Sequence, residues 1–139
     1  MPRASRRRGD AARRHADTLR FVLFEARPAG LEFPQLVRAS DLSPSQVRSG
    51  LAALKDQAAE KAWPPLTWNR ATGYQLGAER DVLEAYERAV VRENLTEFRR
   101  FITGTVAPHA AAHPGDKWVK HIVAQLNSIE STLDLIASS

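Results

Sequence analysis

Apolar residues recur along most of this chain at helical spacing, with one short stretch where the period falls to that of a strand. From His15 to about Arg27, Leu19, Val22, Leu23 and Ala26 mark one face of an amphipathic helix, widened by Phe21 and Phe24. Pro28, Ala29 and Gly30 end it, because proline restricts the residue before it and glycine turns freely. A second, short helix is predicted from Glu32 or Phe33 to Ala39, with Pro34 tolerated in its first turn and Phe33, Leu36 and Val37 facing inward. Ser40, Asp41 and Leu42 form a turn. The third helix opens on Ser43-Pro44-Ser45-Gln46, where Ser43 caps free amides, Pro44 fits the first helical position and Gln46 stands where a capping-box partner belongs. Val47, Leu51 and Leu54 form its buried stripe, and it ends between Lys55 and Lys61.

After Trp63-Pro64-Pro65 the pattern shifts. Leu66-Thr67-Trp68 and Tyr74-Gln75-Leu76 flank the turn formers Asn69 to Gly73, which predicts a β-hairpin closed by Gly77. A helical stripe then runs from about Glu79 to Thr103 through Leu83, Tyr86, Val90, Val91, Leu95, Phe98 and Ile102. Gly104 and Pro108 interrupt it, and Thr105 to Gly115 is predicted as a connector. Asp116 is placed to cap a last helix, Lys117 to Ala137, in which Val119, Ile122, Leu126, Ile129, Leu133 and Ile136 alternate spacings of three and four. That is a heptad seam of about two and a half repeats.

Composition narrows the classes. The 139 residues suit one domain, or one domain with an oligomerisation element, and 43% hydrophobic with 26% charged residues allow a core. There is no cysteine, which excludes disulfides, thiolate metal sites and cysteine nucleophiles. No apolar run reaches the ~20 residues of a membrane span, and the arginine-rich start has no signal-like apolar stretch, so the expectation is a cytoplasmic protein with no membrane partner. Charge is uneven: residues 1–80 carry 14 Lys/Arg against 8 Asp/Glu, and residues 81–139 carry 6 against 8. The first part suits a polyanion, since lysine and arginine displace counterions from phosphates. Residues 1–14, with Arg6, Arg7, Arg8, Arg13 and Arg14, are predicted to be a flexible basic arm, either lying on DNA or serving as a solubilising tail.

Three helices, the second and third joined by a tight turn, followed by a hairpin, is the order of a winged helix-turn-helix. The run Leu36-Val37-Arg38-Ala39-Ser40-Asp41-Leu42-Ser43-Pro44-Ser45-Gln46-Val47-Arg48-Ser49-Gly50-Leu51 resembles the helix-turn-helix of bacterial transcription regulators, with Ala39, Leu42, Val47 and Leu51 at its packing positions. Asp41 departs from the pattern, standing where such motifs more often carry glycine. The layout is similar to that of PadR-type regulators, with a winged helix followed by dimerisation helices. The expected fold class is therefore mainly α with a small β-hairpin wing, divided into an arm (1–14), a winged helix-turn-helix (15–77) and a helical dimerisation region (78–139).

The resemblance implies a homodimeric, sequence-specific binder of double-stranded DNA that regulates transcription, with its third helix in the major groove. Val47, Gly50, Leu51 and Leu54 fall on one side of that helix, and Ser45, Arg48, Ser49 and Ala52 on the other, with Ser43, Gln46 and Lys55 at the margins. Arg48 suits a guanine edge or a phosphate, and Gln46 an adenine if capping leaves it free. Arg70 and Thr72 sit at the wing, near a minor groove. Trp63, Trp68 and Tyr74 are expected in the core rather than stacked on bases. Val119, Ile122, Leu126, Ile129, Leu133 and Ile136 are expected to pair two chains, the alternative being a helical hairpin closed within one chain. His109 and His113 have the spacing of two metal ligands but no third, and no metal, cofactor or catalytic arrangement is expected. A winged-helix adaptor for proteins, and a replication or partition factor, are the rival functions.

Overall fold

A computed structural model describes the backbone of residues 2–139 and the side chains from Gly9 onward. In chain order the elements are α1 (Pro2–Ala26), α2 (Phe33–Ser40), α3 (Pro44–Gln57), β1 (Leu66–Asn69), β2 (Gly73–Leu76), α4 (Arg80–Phe101), a π-helical turn (Ile102–Val106), α5 (Ala107–Ala112) and α6 (Lys117–Ala137). The protein is mainly α-helical with one small antiparallel hairpin. No helix among the described residues is long and apolar enough to cross a membrane. The chain divides into two compact units, the division falling between Leu83 and Glu84, inside α4.

The first unit is built on Ala16, Leu19 and Leu23 of α1, Leu36 of α2, Val47, Leu51 and Leu54 of α3, and Leu66 and Leu76 of the hairpin, all buried. Each such leucine contributes roughly 1.5–3 kcal/mol by leaving water. Where α1 crosses α3, Gly50 faces the other helix. A Cβ there would stand 2.6 Å from Leu19 Cδ1 and 2.9 Å from His15 Cβ, so only glycine allows this approach.

The first helix departs from its predicted start at His15. Residues 9–14 are helical, so the flexible arm expected over residues 1–14 does not extend this far, while the arginines Arg6, Arg7 and Arg8 lie outside the described side chains. Ala11, Ala12, Arg13 and Arg14 are strong helix formers with no breaker before Ala16, and the period that begins the apolar stripe is not where the helix must begin.

The hairpin pairs Leu66 with Leu76, Thr67 with Gln75, Trp68 with Tyr74 and Asn69 with Gly73. Gly73 has φ 75°, the left-handed region, and its bare backbone lies against the Leu31 carbonyl. Leu31, between α1 and α2, adds a rung on the other edge of β2: its amide donates to Tyr74 O at 2.8 Å, and the Tyr74 amide donates back at 2.7 Å. Trp68 is 45% exposed and Thr67 is buried, the reverse of the expected placing of Trp68 in the core. Leu66 and Leu76 already fill the inner end of the face that Trp68 shares, and Trp68 stands nearer the turn.

In the second unit the interrupted connector predicted over residues 105–115 is largely helical. Pro108 lies at the start of α5, where no N–H is needed, and the π turn just before it absorbs the change of register. Only residues 113–116 leave the helical path. Asp116 caps α6 as expected, its Oδ1 accepting from Trp118 N at 2.8 Å. Arg99 of α4 donates to Glu130 Oε1 at 3.0 Å and to Asp134 Oδ1 at 2.9 Å on α6. The Glu130 hydrogen bond is the main cause that holds the guanidinium pKa above its ordinary value. The stripe expected to pair two chains is divided: Val119 and Leu126 are buried within the chain, Ile122 and Leu133 are half-buried, and Ile129 and Ile136 are exposed. The π-helical turn and α5 pack on α6, covering one edge of the stripe and leaving the other open.

Replacing a mid-helix glycine by alanine ordinarily stabilises by up to about 1 kcal/mol. Gly50→Ala is expected to do the opposite, losing about 1–3 kcal/mol because α1 must shift. Urea denaturation checks this as a lowered midpoint at unchanged slope.

Candidate nucleic-acid interface

The turn into α3 is held by backbone chemistry that the local residues supply. Asp41 caps α2 in the left-handed conformation, φ 58° and ψ 27°, one that aspartate tolerates better than most residues. Ser40 Oγ accepts from Leu42 N at 3.3 Å, which satisfies an amide inside the turn. Ser43 then starts α3: its Oγ accepts from Gln46 N at 3.1 Å, and its amide donates to Gln46 Oε1 at 2.9 Å. The same device opens α2, where the Glu32 amide donates to Gln35 Oε1 at 2.8 Å. Gln46 is thereby corrected as an adenine reader, because bidentate reading needs both amide atoms and its oxygen is engaged in the cap.

Anchored by Val47, Gly50, Leu51 and Leu54, α3 leaves its other side open. Ser43, Ser45, Gln46, Arg48, Ser49, Ala52 and Lys55 are all exposed. The Arg48 guanidinium rests 5.2 Å from the Phe33 ring centroid, a cation–π contact that steadies it without neutralising it. Among the described residues Arg48 makes no ion pair, so its charge is available to a phosphate or a base edge. Phe33 packs against the core as expected and is only partly buried, and its role as a shelf under Arg48 depends on how α2 meets α3, which spacing along one helix does not reveal.

The structure brings Arg13 to this face and takes Arg14 away. An open groove of about 460 Å³ between α1 and α3 is lined by Arg13 and Ala12 on one side and by Ser49, Ala52 and Asp56 on the other. Arg14 stands about 200° round α1 from the buried Ala16 and faces away from α3. Two carboxylates that the sequence pattern did not place here, Asp56 one turn beyond Ala52 and Glu60 beyond the helix end, also line this groove, so its positive character lies toward the start of α3. At the hairpin, Arg70 and Thr72 are exposed, but the Thr72 hydroxyl and amide both donate to Asn69 Oδ1, at 3.0 and 2.8 Å. Thr72 therefore serves the turn, and Arg70 is the projecting cation.

The aromatic residues divide. Trp63 is half-buried and its ring meets Arg20 at 5.3 Å and Lys61 at 4.8 Å, Tyr74 is held in the Leu31 rung, and Trp68 projects. His109 and His113 meet edge to face at 5.5 Å between ring centroids, and no group of three metal-ligating side chains exists among the described residues. The chain matches no protein-family model, no curated protein and no solved structure.

Ser43→Ala removes the acceptor for Gln46 N and is expected to lower stability by about 1 kcal/mol. Thermal unfolding followed by circular dichroism reads the loss directly, and a melting temperature equal to wild type would mean that the cap contributes nothing.

Proposed function

We propose that the chain is a sequence-specific double-stranded DNA-binding protein, a homodimeric transcriptional regulator whose residues 15–77 act as a winged helix-turn-helix. The observation that carries this reading is α3 itself, held on one side by Gly50 and its apolar neighbours and presenting Arg48 with small polar residues on the other. A B-form major groove admits one helix, and small side chains let its backbone come close enough for a single guanidinium to reach a base edge. Two further features support it. The Leu31 rung ties the hairpin to the chain just ahead of α2, which makes a fixed wing of it, and Arg70 projects from that wing. Arg13 adds a cation beside α3, as a backbone contact requires.

In this mechanism Arg48 reads a base or clamps the phosphate beside it, while Arg13, Lys55 and Arg70 neutralise phosphates and fix the register. Two copies present two α3 helices and double the phosphate contacts. Selection from a random duplex library followed by anisotropy titration tests the proposal. A palindromic site and a log–log salt slope of about −0.9 per phosphate contact are expected. No duplex binding at low salt would remove the reading.

The variants separate the roles. Arg48→Ala is expected to relax discrimination at one base-pair position by about 1–3 kcal/mol. Arg70→Ala is expected to weaken all duplexes alike and to flatten the salt slope by about one unit. Titrations of each variant against the selected site and its single-base changes check both.

A further inference from the structure

Arg99 and its two carboxylate partners define one flank of the α4–α6 hairpin. Two residues beyond Arg99, and so about 200° round α4, Phe101 points to the opposite flank and is exposed. On α6 the same division holds. Taking Ile129 as reference, Trp118, Ile122 and Ile136 lie within about 20° of it round the helix, and Val119 and Leu126 lie about 60–80° away, on the side their own chain covers. Ile129 is 41% exposed and Ile136 45%, and Trp118 stands in solvent beyond them. Between Trp118 and Ile136 the charged residues are Lys120, Glu130 and Asp134. All three fall about 100–180° from Ile129, on the side of the ion pairs.

We infer that a second copy of this chain docks on the apolar flank formed by Phe101, Trp118, Ile122, Ile129 and Ile136. This names the surface for the homodimeric reading above and rests on it. The charge distribution selects the occupant. A two-fold interface sets a surface against itself, so any charge on it meets its own sign. On α6 the flank carries none, and the exposed Glu97 beside Phe101 is neutralised by Arg100 of its own helix, while the other flank of the same hairpin carries both signs on Arg99, Glu130 and Asp134. The period selects it too: Ile122, Ile129 and Ile136 recur every seven residues, the spacing at which one helix fits another of the same repeat. A lipid surface would instead favour a row of free cations along the apolar strip; Lys120 lies on the far side of α6, Arg100 is paired with Glu97, and among the described residues Lys117 stands alone at the end of the strip.

Sedimentation of the full chain without DNA tests this. Wild type is expected at twice the chain mass at ~100 μM. The double variant Ile129→Glu, Ile136→Glu is expected at the single mass with its helical circular dichroism intact, since both residues are exposed. Asn127→Glu, on the charged side, is expected to stay at twice the mass. A wild type of single mass overturns the inference, as does a dimer that survives the double variant, because its interface then lies elsewhere. A chain that stays single in buffer and is drawn onto phosphatidylcholine vesicles also overturns it, assigning the flank to lipid. Because no duplex is present, a chain that dimerises here and binds no DNA in titration sinks the DNA reading alone.

Discussion

The first unit depends on one close approach, that of α1 to α3 at Gly50. With no side chain there, His15 and Leu19 reach the α3 backbone, and the stripe of Val47, Leu51 and Leu54 seats fully against α1. Everything proposed for the outer side of α3 follows from that seating. A helix held loosely on its inner side would share its polar residues between protein and solvent, whereas this one commits Arg48, Ser45 and Ser49 to solvent. The same crossing sets the first half of α1 along the second half of α3. Basic residues that read as a free tail are thereby fixed, in the case of Arg13, at a defined place beside the candidate interface.

Two local devices make the geometry of that interface reproducible. The amide preceding α2 and the amide preceding α3 are each accepted by a glutamine three residues on, so both helix starts are fixed by side chains that cost nothing in core volume. Between them, Asp41 takes up the left-handed turn. An aspartate in this position accepts a small conformational penalty that glycine would avoid, and in exchange the turn is stiffer in the unfolded chain's ensemble as well. In the second unit an ionic contact joins the two long helices, Arg99 of α4 spanning Glu130 and Asp134 of α6.

Much of this was legible from residue order because it is written in short-range chemistry. The Ser43 cap, the Asp116 cap, the bounds of α6 and the place of the hairpin all arise from residues within a few positions of one another. What was not legible arises across the fold. Residues 9–14 carry no apolar stripe, so periodicity could not mark them as helix. Pro108 reads as a breaker in isolation, and only the π turn ahead of it turns it into a helix start. The six-residue stripe of α6 is continuous in sequence, yet packing of the π turn and α5 on α6 decides which part is covered. Gln46 was legible as a cap partner and as a base reader, and geometry chose the first. The exposure of Trp68 depends on Leu66 and Leu76 having taken the inner end of the strand pair.

The rung between Leu31 and Tyr74 joins positions 43 apart in the chain, and it closes a loop that contains α2, α3 and β1. Closing a loop of that length costs chain entropy that only previously formed contacts can offset. The crossing of α1 and α3 is closed over similar distances, Gly50 meeting Leu19 and His15, whereas the pairs within the hairpin are local. The hairpin is held to this body twice over, by Leu66 and Leu76 in the core and by the Leu31 rung, so loosening it forfeits buried leucine surface as well as two backbone hydrogen bonds.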